Sequence, residues 1–467
     1  MNLKNNFSGL TFLFLVFFQT SVSAVQINDN ATGQALIFPF YSVANDHNTL
    51  VTIKNNTDSF KAVKVDFRES FNGATVLNFN LYLAPYDEWS GALAATLSSI
   101  SGYEGQPSAT LISNDASCRP FVVNSQEFLP FALALDAGPD NMQRAQTGFI
   151  QVTEMGELGG ATYPPAVEHT SGVPNNCAVL EASMNPGGEW SIDPSTDILP
   201  ATGGLSGSFS IIEVAQGYAA SGHATAINRF YSDGGSLHTI TGNTDNGLSA
   251  LDDISRQLSD DGVYAHMWQQ GFESLSAPLM REFVYLNFDL NVNVSGVSET
   301  ILTFPTKSFY VNNVADAVAP FTTTFSANGA CETAQATVIS QDLSSSTETL
   351  PAQSITLCES TNVIGYSNNM VTPTPLMTDS YQSVIDAAGF ETGSIRLDFS
   401  DFLTNQAFDL EQENFRYLYF GLPVISFNFQ RYANSNAQNG PVLYAYQNNV
   451  ASQSRIIPET IFFNAFD

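Results

Sequence analysis

The chain has 467 residues with 15 Lys and Arg against 45 Asp and Glu, a net charge of −30. Such acidity repels nucleic acid and anionic membrane surfaces, which excludes nucleic acid as a partner. With 43% hydrophobic residues, 35 Phe and 17 Tyr, the chain can fill a sizeable core, and its length exceeds what one core usually serves.

The first 24 residues read as a signal peptide. Lys4 supplies the positive region, Leu10 to Phe18 the apolar run, and Val22-Ser23-Ala24 the small residues that precede cleavage between Ala24 and Val25. The run is too short to span a bilayer, no second run of that strength follows, and no cysteine sits after the cleavage point to carry a lipid. The expected product is an exported, soluble chain starting near Val25 with no transmembrane anchor, in the periplasm, at the cell surface or outside the cell.

Ala35 to Val43 and Thr49 to Lys54 predict strands separated by Asn45-Asp46-His47-Asn48. In Ala62 to Glu69 the apolar Val63, Val65 and Phe67 alternate with Lys64, Asp66 and Arg68, the period of a strand with one dry face. Asn72-Gly73 signals a hairpin, and Leu77, Phe79, Leu81 and Leu83 line one face of the return strand. Further strands are expected at Gly148 to Met155, Gly207 to Ala215, Glu282 to Val294, Thr300 to Val311, Ser394 to Phe399 and Tyr417 to Arg431. Two helices interrupt them. Leu248, Leu251, Ile254 and Leu258 recur at helical spacing and predict a helix over 248–258, and Ser380 to Ala388 carries Asp379 as N-cap and Gly389 as stop.

The fold class is therefore all-β: antiparallel β-sandwich domains with a few short helices. The polar stretch from Ser232 to Gly262 places the domain join at its end, giving an N-terminal β-sandwich domain over 25–262 and a C-terminal β-rich domain over 263–467. All four cysteines lie in the exported part, and an even number in an oxidising compartment predicts disulfides. Three pairings exist. Cys118 with Cys177 and Cys331 with Cys358 close the shorter loops and are favoured, each stabilising by roughly 3 to 4.5 kcal/mol on the chain-entropy model. No C-x-x-C spacing supports a metal site instead.

Several stretches resemble a family of exported, uncharacterised, β-rich proteobacterial proteins: TLVTIKNNTDSFKAVKVDFRES, LNFNLYLAPYDEW, TGFIQVTEMGEL, GVPNNCAVLEA, GGLSGSFSIIEVAQG, LTFPTKSFYV, CETAQATVI with LCESTNVIGY, and GLPVISFNFQRYAN. They cover nearly the whole exported part. The resemblance implies one evolutionary unit of a bacterial envelope and brings no catalytic residues with it.

Chemistry is sparse. The G-x-S-x-G elbow of serine hydrolases is absent, because Gly203-Gly204-Leu205-Ser206-Gly207 has Ser208 where the last glycine belongs and leads into a strand. None of His47, His169, His223, His238 and His266 lies four residues from another, so no zinc-protease helix is present. His223 and His238 flank Arg229, Tyr231 and Asp233 in a glycine-bearing region, a candidate pocket lining, while Glu168-His169 are neighbours whose side chains diverge on a strand. Calcium is the cofactor best matched to surplus carboxylates, and Asp233, Asp245, Asp252, Asp253, Asp260 and Asp261 are its candidates, though they miss the EF-hand spacing and read first as a solvated acidic face. Asp136-Ala137-Gly138-Pro139-Asp140-Asn141 reads as a turn first and a ligand loop second. Sugar binding would use Trp89, Trp190 or Trp268 as a stacking platform, with Asp87-Glu88 beside the first; packing is the commoner role of such rings. The long polar connections do not suit an outer-membrane barrel. The sequence thus predicts an envelope or extracellular structural or binding protein, not an enzyme, whose partner is an envelope protein or a glycan. The alternative is a carbohydrate-active protein.

Overall fold

A computed structural model describes residues 24–215, 217–231, 234–243, 253–259, 262–312, 315–340, 348–369, 373–410, 415–434, 442–448 and 450–458. Strands dominate, and the fold is all-β with two disulfides, as the alternation predicts. One sheet runs in the order Gln26–Ile27, Thr225–Asn228, Ala35–Ser42, Thr147–Leu158, Lys61–Glu69, Thr75–Leu83. The facing sheet runs Tyr218–His223, Leu205–Glu213, His47–Asn55, Glu88–Leu97, Pro107–Ile112, Ser125–Glu127. Phe38, Val65, Phe67 and Phe79 from the first meet Ile53, Trp89 and Phe209 from the second in one core. Two packed antiparallel layers of this kind make a sandwich.

The expected hairpin forms, with Arg68 opposite Thr75 and Gly73 at φ 69°. Its second face is not wet as expected: Lys64 and Asp66 are buried there as well. The segment 234–243 roofs that face, and its carbonyls accept hydrogen bonds from the polar side chains, Asn243 from Lys64 and Asn78, and Thr239 from Asn80.

A second sandwich pairs the sheet Gln353–Leu357, Glu332–Ser340, Thr392–Asp398, Phe283–Asp289, Ala451–Gln453 with the sheet Ser383–Asp386, Thr361–Ser367, Val297–Thr303, Ile425–Asn434, Val442–Asn448. Between them lie Leu286, Phe288, Val338, Leu397, Leu302 and Tyr366. The other face of the latter sheet joins the first core through Ile301, Val363, Phe427 and Phe429, and the rings of Phe209 and Phe427 stand 5.4 Å apart. That sheet is a wall common to both cores. A smaller sheet of Ile254–Ser259, Gly262–Met267, Leu403–Asp409, Arg416–Phe420 and Arg455–Pro458 covers Trp268 and Tyr419. The expected join after residue 262 falls inside the strand Gly262–Met267 of this sheet, whose Gly262 pairs with Ser259.

Neither predicted helix is found among the described residues. Residues 248–252 lie outside the described residues, and Ile254–Ser259 is a strand whose Leu258 is exposed while Ser255 and Gln257 are buried, a period of two. Pairing with Gly262–Met267 overrides the helical spacing of the leucines. Likewise Ser383–Asp386 is a strand, parallel to Thr361–Ser367, and Ala388 and Gly389 turn the chain at φ 46° and 95°. Asp379 caps no helix; its carboxylate accepts from Gln143 at 2.8 Å. Conversely, the strand expected over Thr300 to Val311 stops at Thr303 and a short helix, Lys307–Val311, follows. The strand expected over Tyr417 to Arg431 breaks at Gly421, whose φ is 100°. No side chain fits there: a Cβ would stand 1.8 Å from the carbonyl oxygen of Arg281. This contact brings Leu422–Pro423 onto Met280–Arg281 and shapes the cavity below.

Cys118–Cys177 and Cys331–Cys358 are bonded as expected, across 59 and 27 residues. No helix of the described residues is long and apolar enough to cross a membrane.

Candidate binding cavity

The residues singled out by sequence are mostly structural. Trp89 and Trp190 are 0% exposed and Trp268 is 4% exposed, so none offers a sugar-stacking face. Trp190 lies against Tyr163 and His238, and Trp268 donates to the hydroxyl of Ser255 at 2.7 Å. Of the calcium candidates only Asp253 is described, and it is exposed; Asp233, Asp245, Asp252, Asp260 and Asp261 lie outside the described residues. No group of three or more His, Cys, Asp or Glu among the described residues is placed to hold a metal. Asp136 binds Arg144 at 2.7 Å and the backbone of Gly138 at 2.8 Å, which makes its loop a structural turn.

The histidines do not assemble a catalytic group. His47 donates Nδ1 to the Ala44 carbonyl, and His223 is exposed. His238 donates Nδ1 to the Pro194 carbonyl at 2.7 Å and accepts at Nε2 from Tyr82, so it is held neutral, and burial pushes its pKa down to about 4. His266 pairs with Tyr419 and is likewise lowered by burial to about 4. His169 lies 3.6 Å from Asp87, which also accepts from Ser117 at 3.3 Å. The carboxylate stands between serine and histidine, the reverse of the order that would let histidine take the serine proton. The glycine turn at 203–204 serves a carboxylate: Gly203 and Thr202 donate backbone N–H to Glu154, which is paired with buried Lys61 at 2.8 Å.

What the fold does assemble is a cavity of about 800 Å³ where distant parts of the chain converge. Val25 enters the small sheet, donating to the Ile254 carbonyl at 2.8 Å and accepting from Arg256 at 2.7 Å. Gln26 and Ile27 then pair with Asn228 and Ile227 of the first sandwich. These contacts put Gln26, Ile27 and Asp29 on one wall. Arg256, Gln257, Leu258 and Val263 come from the small-sheet hairpin, and Pro278, Arg281, Ser452 and Ser454 complete the lining.

Its lining carries two arginines against one acid, Asp29. Arg144 is held by Glu69 and Asp136, and Arg455 by Glu282 at 2.7 Å. Arg281 instead donates through Nη1 to the carbonyls of Pro278 and Met280, each at 2.8 Å, and to Ser454 Oγ at 3.4 Å; it has no carboxylate partner among the described residues. Desolvation without a compensating anion lowers its pKa to about 10. Arg256 is exposed and its guanidinium also lacks an ion pair among the described residues. Gln257 is 4% exposed; its Nε2 donates to Met280 O at 3.1 Å, while its Oε1 has no hydrogen-bond partner. A buried acceptor left empty costs about 1–3 kcal/mol. The cavity therefore offers guanidinium donors, hydroxyls from Ser452 and Ser454, and apolar contact at Ile27, Leu258 and Val263.

Sequence reasoning passed over Arg256, Gln257 and Arg281. No local signal marks them, since Arg256 lies three residues from Asp253 and Arg281 directly precedes Glu282, and the contacts that unite them run from Gln26 to Ser454. Comparison of the chain with protein-family models, with curated proteins and with solved structures finds no match, so its own geometry carries the functional argument.

Proposed function

We propose that this chain is an exported binding protein of the cell envelope or extracellular space, and that the cavity between its first strand and the Arg281 strand holds a small organic ligand. The observation that carries this reading is the cavity itself. Its volume of about 800 Å³ lies in the range of small-molecule sites, and its apolar wall with a few convergent polar groups matches their composition. The leader-like start, two disulfides and the resemblance to exported envelope proteins support the location. The carbohydrate-active alternative loses its stacking platforms to the burial of all three tryptophans.

The test is a thermal melt of the chain starting at Val25 against a library of charged and neutral metabolites, with Ser452→Trp as a variant that fills the cavity. A ligand at a hundred times its Kd stabilises by about 2.7 kcal/mol, readily seen as a shift in Tm. Shifts present in the parent protein and lost in Ser452→Trp support the cavity. Shifts that survive the variant, or a library that produces none, count against it.

A further inference from the structure

We infer that the ligand of this cavity carries an oxyanion group, a carboxylate, phosphate or sulfate, seated against the guanidinium of Arg281 with Arg256 beside it. The inference rests on the reading of the cavity as a ligand site and names the class of molecule that fits it.

Charge distribution is the first reason. Acids outnumber bases three to one over the chain, yet two arginines face one acid, Asp29, in the cavity lining. Arg68 and Arg119 also bond backbone carbonyls without an ion pair among the described residues, so what sets Arg281 apart is its place in a cavity wall where bases outnumber acids. Arg281 is held in place by two backbone carbonyls and a serine hydroxyl, all through Nη1. Nε and Nη2 have no acceptor among the described residues, and this edge is the one that binds carboxylate or phosphate through two parallel hydrogen bonds.

The way Arg281 is held is the second reason. Buried Gln257 in the same wall donates Nε2 to Met280 O, the same carbonyl that receives Arg281 Nη1, so the guanidinium is fixed to the protein through one nitrogen while its other edge is unengaged among the described residues. An organic acid places its oxyanion on that edge. Ile27, Leu258 and Val263 supply contact for its carbon skeleton.

The test is arginine modification by phenylglyoxal, followed residue by residue by mass spectrometry on the unaltered chain, with and without excess inorganic phosphate or D-glucuronate. Arg256 and Arg281 should react faster than Arg144, which two carboxylates hold, and phosphate or glucuronate at about ten times its Kd should slow the reaction at these two by about tenfold, since only the free site reacts. Fast reaction at both arginines with no protection by either anion overturns the oxyanion assignment and leaves the cavity reading standing. Reaction at Arg281 no faster than at Arg144 shows a closed site and overturns both. Protection by D-glucuronate but equally by neutral D-glucose also sinks the assignment, since charge would then play no part.

Discussion

Lys307 and Glu359 show what burial does to charge in this molecule. The Lys307 ammonium donates to the carbonyls of Leu357 and Glu359 and sits over the rings of Phe304 and Phe321, and desolvation lowers its pKa from 10.5 to about 7. Desolvation raises the Glu359 carboxyl from 4.5 to about 7, with Glu69 adding repulsion and Ser70 and Gln382 offering hydrogen bonds. The signs oppose each other. Between pH 4.5 and about 7 the folded chain keeps a proton on Glu359 that the unfolded chain has released, so this group's contribution to stability falls as pH rises. Between about 7 and 10.5 the unfolded chain holds a proton on Lys307 that the folded chain lacks, so that contribution rises with pH. Glu359→Gln should flatten the first limb of stability against pH and Lys307→Met the second, as read from urea unfolding; unchanged limbs contradict these assignments. His238 runs the other way from Glu359 over acidic pH. Its pKa of about 4 means that stability is present above pH 6.5 and is lost as pH falls towards 4, because protonating Nε2 removes the acceptor that Tyr82 uses. His238→Gln should therefore weaken the acid sensitivity of the fold.

At the scale of elements, alternation was legible and helical spacing misled. Val63, Val65 and Phe67 announced their strand because one face enters a core, and the Asn72-Gly73 turn followed from glycine at positive φ. Leu251, Ile254 and Leu258 matched a helix by spacing alone, since nothing in one segment reveals that Gly262–Met267 will pair with it. The buried polar face of Lys61–Glu69 was equally invisible, because the 234–243 segment that satisfies Lys64 and Asn80 comes from far along the chain. Local pattern records the period of an element, not its neighbours. Gly421 is the element-scale prediction. Its φ of 100° and the 1.8 Å approach of a Cβ to Arg281 O leave no room for a methyl group, so Gly421→Ala should destabilise by about 1–3 kcal/mol and displace Met280–Arg281. Denaturant unfolding measures the first effect. A variant of parent stability that keeps its ligand-dependent shift in Tm would show that this strand contact does not shape the cavity.

For the whole molecule, alternation along the chain revealed the fold class, and counts and chain distance the cysteine pairing and the sizeable core. They hid the cavity, whose walls come from Gln26, Arg256, Arg281 and Ser454 and exist only once both sandwiches and the small sheet are in place. Export bears on the same place. Val25 is fully buried and bonded to the Ile254 and Arg256 backbone, so the proposed cleavage between Ala24 and Val25 would keep Gln26 and Ile27 in the cavity wall. The expected secreted product begins at Val25, which N-terminal sequencing reads directly; a mature start well beyond Ile27 would delete a cavity wall. Reduction of both disulfides should lower stability by roughly 3 to 4.5 kcal/mol per bridge, seen in urea unfolding with and without reductant.

The cavity as a site for an organic anion is tested most directly by calorimetric titration of the chain starting at Val25, using the acid that gives the largest shift in Tm. Arg281→Gln and Arg256→Gln are titrated beside it, the second because its exposed side chain makes no bond on which folding depends. Loss of a charged hydrogen bond corresponds to about 1.5–3 kcal/mol, so the expected result is binding weaker by tenfold or more in Arg281→Gln and by a smaller factor in Arg256→Gln. Equal affinity in the parent and both variants would contradict an anion held by these two guanidinium groups.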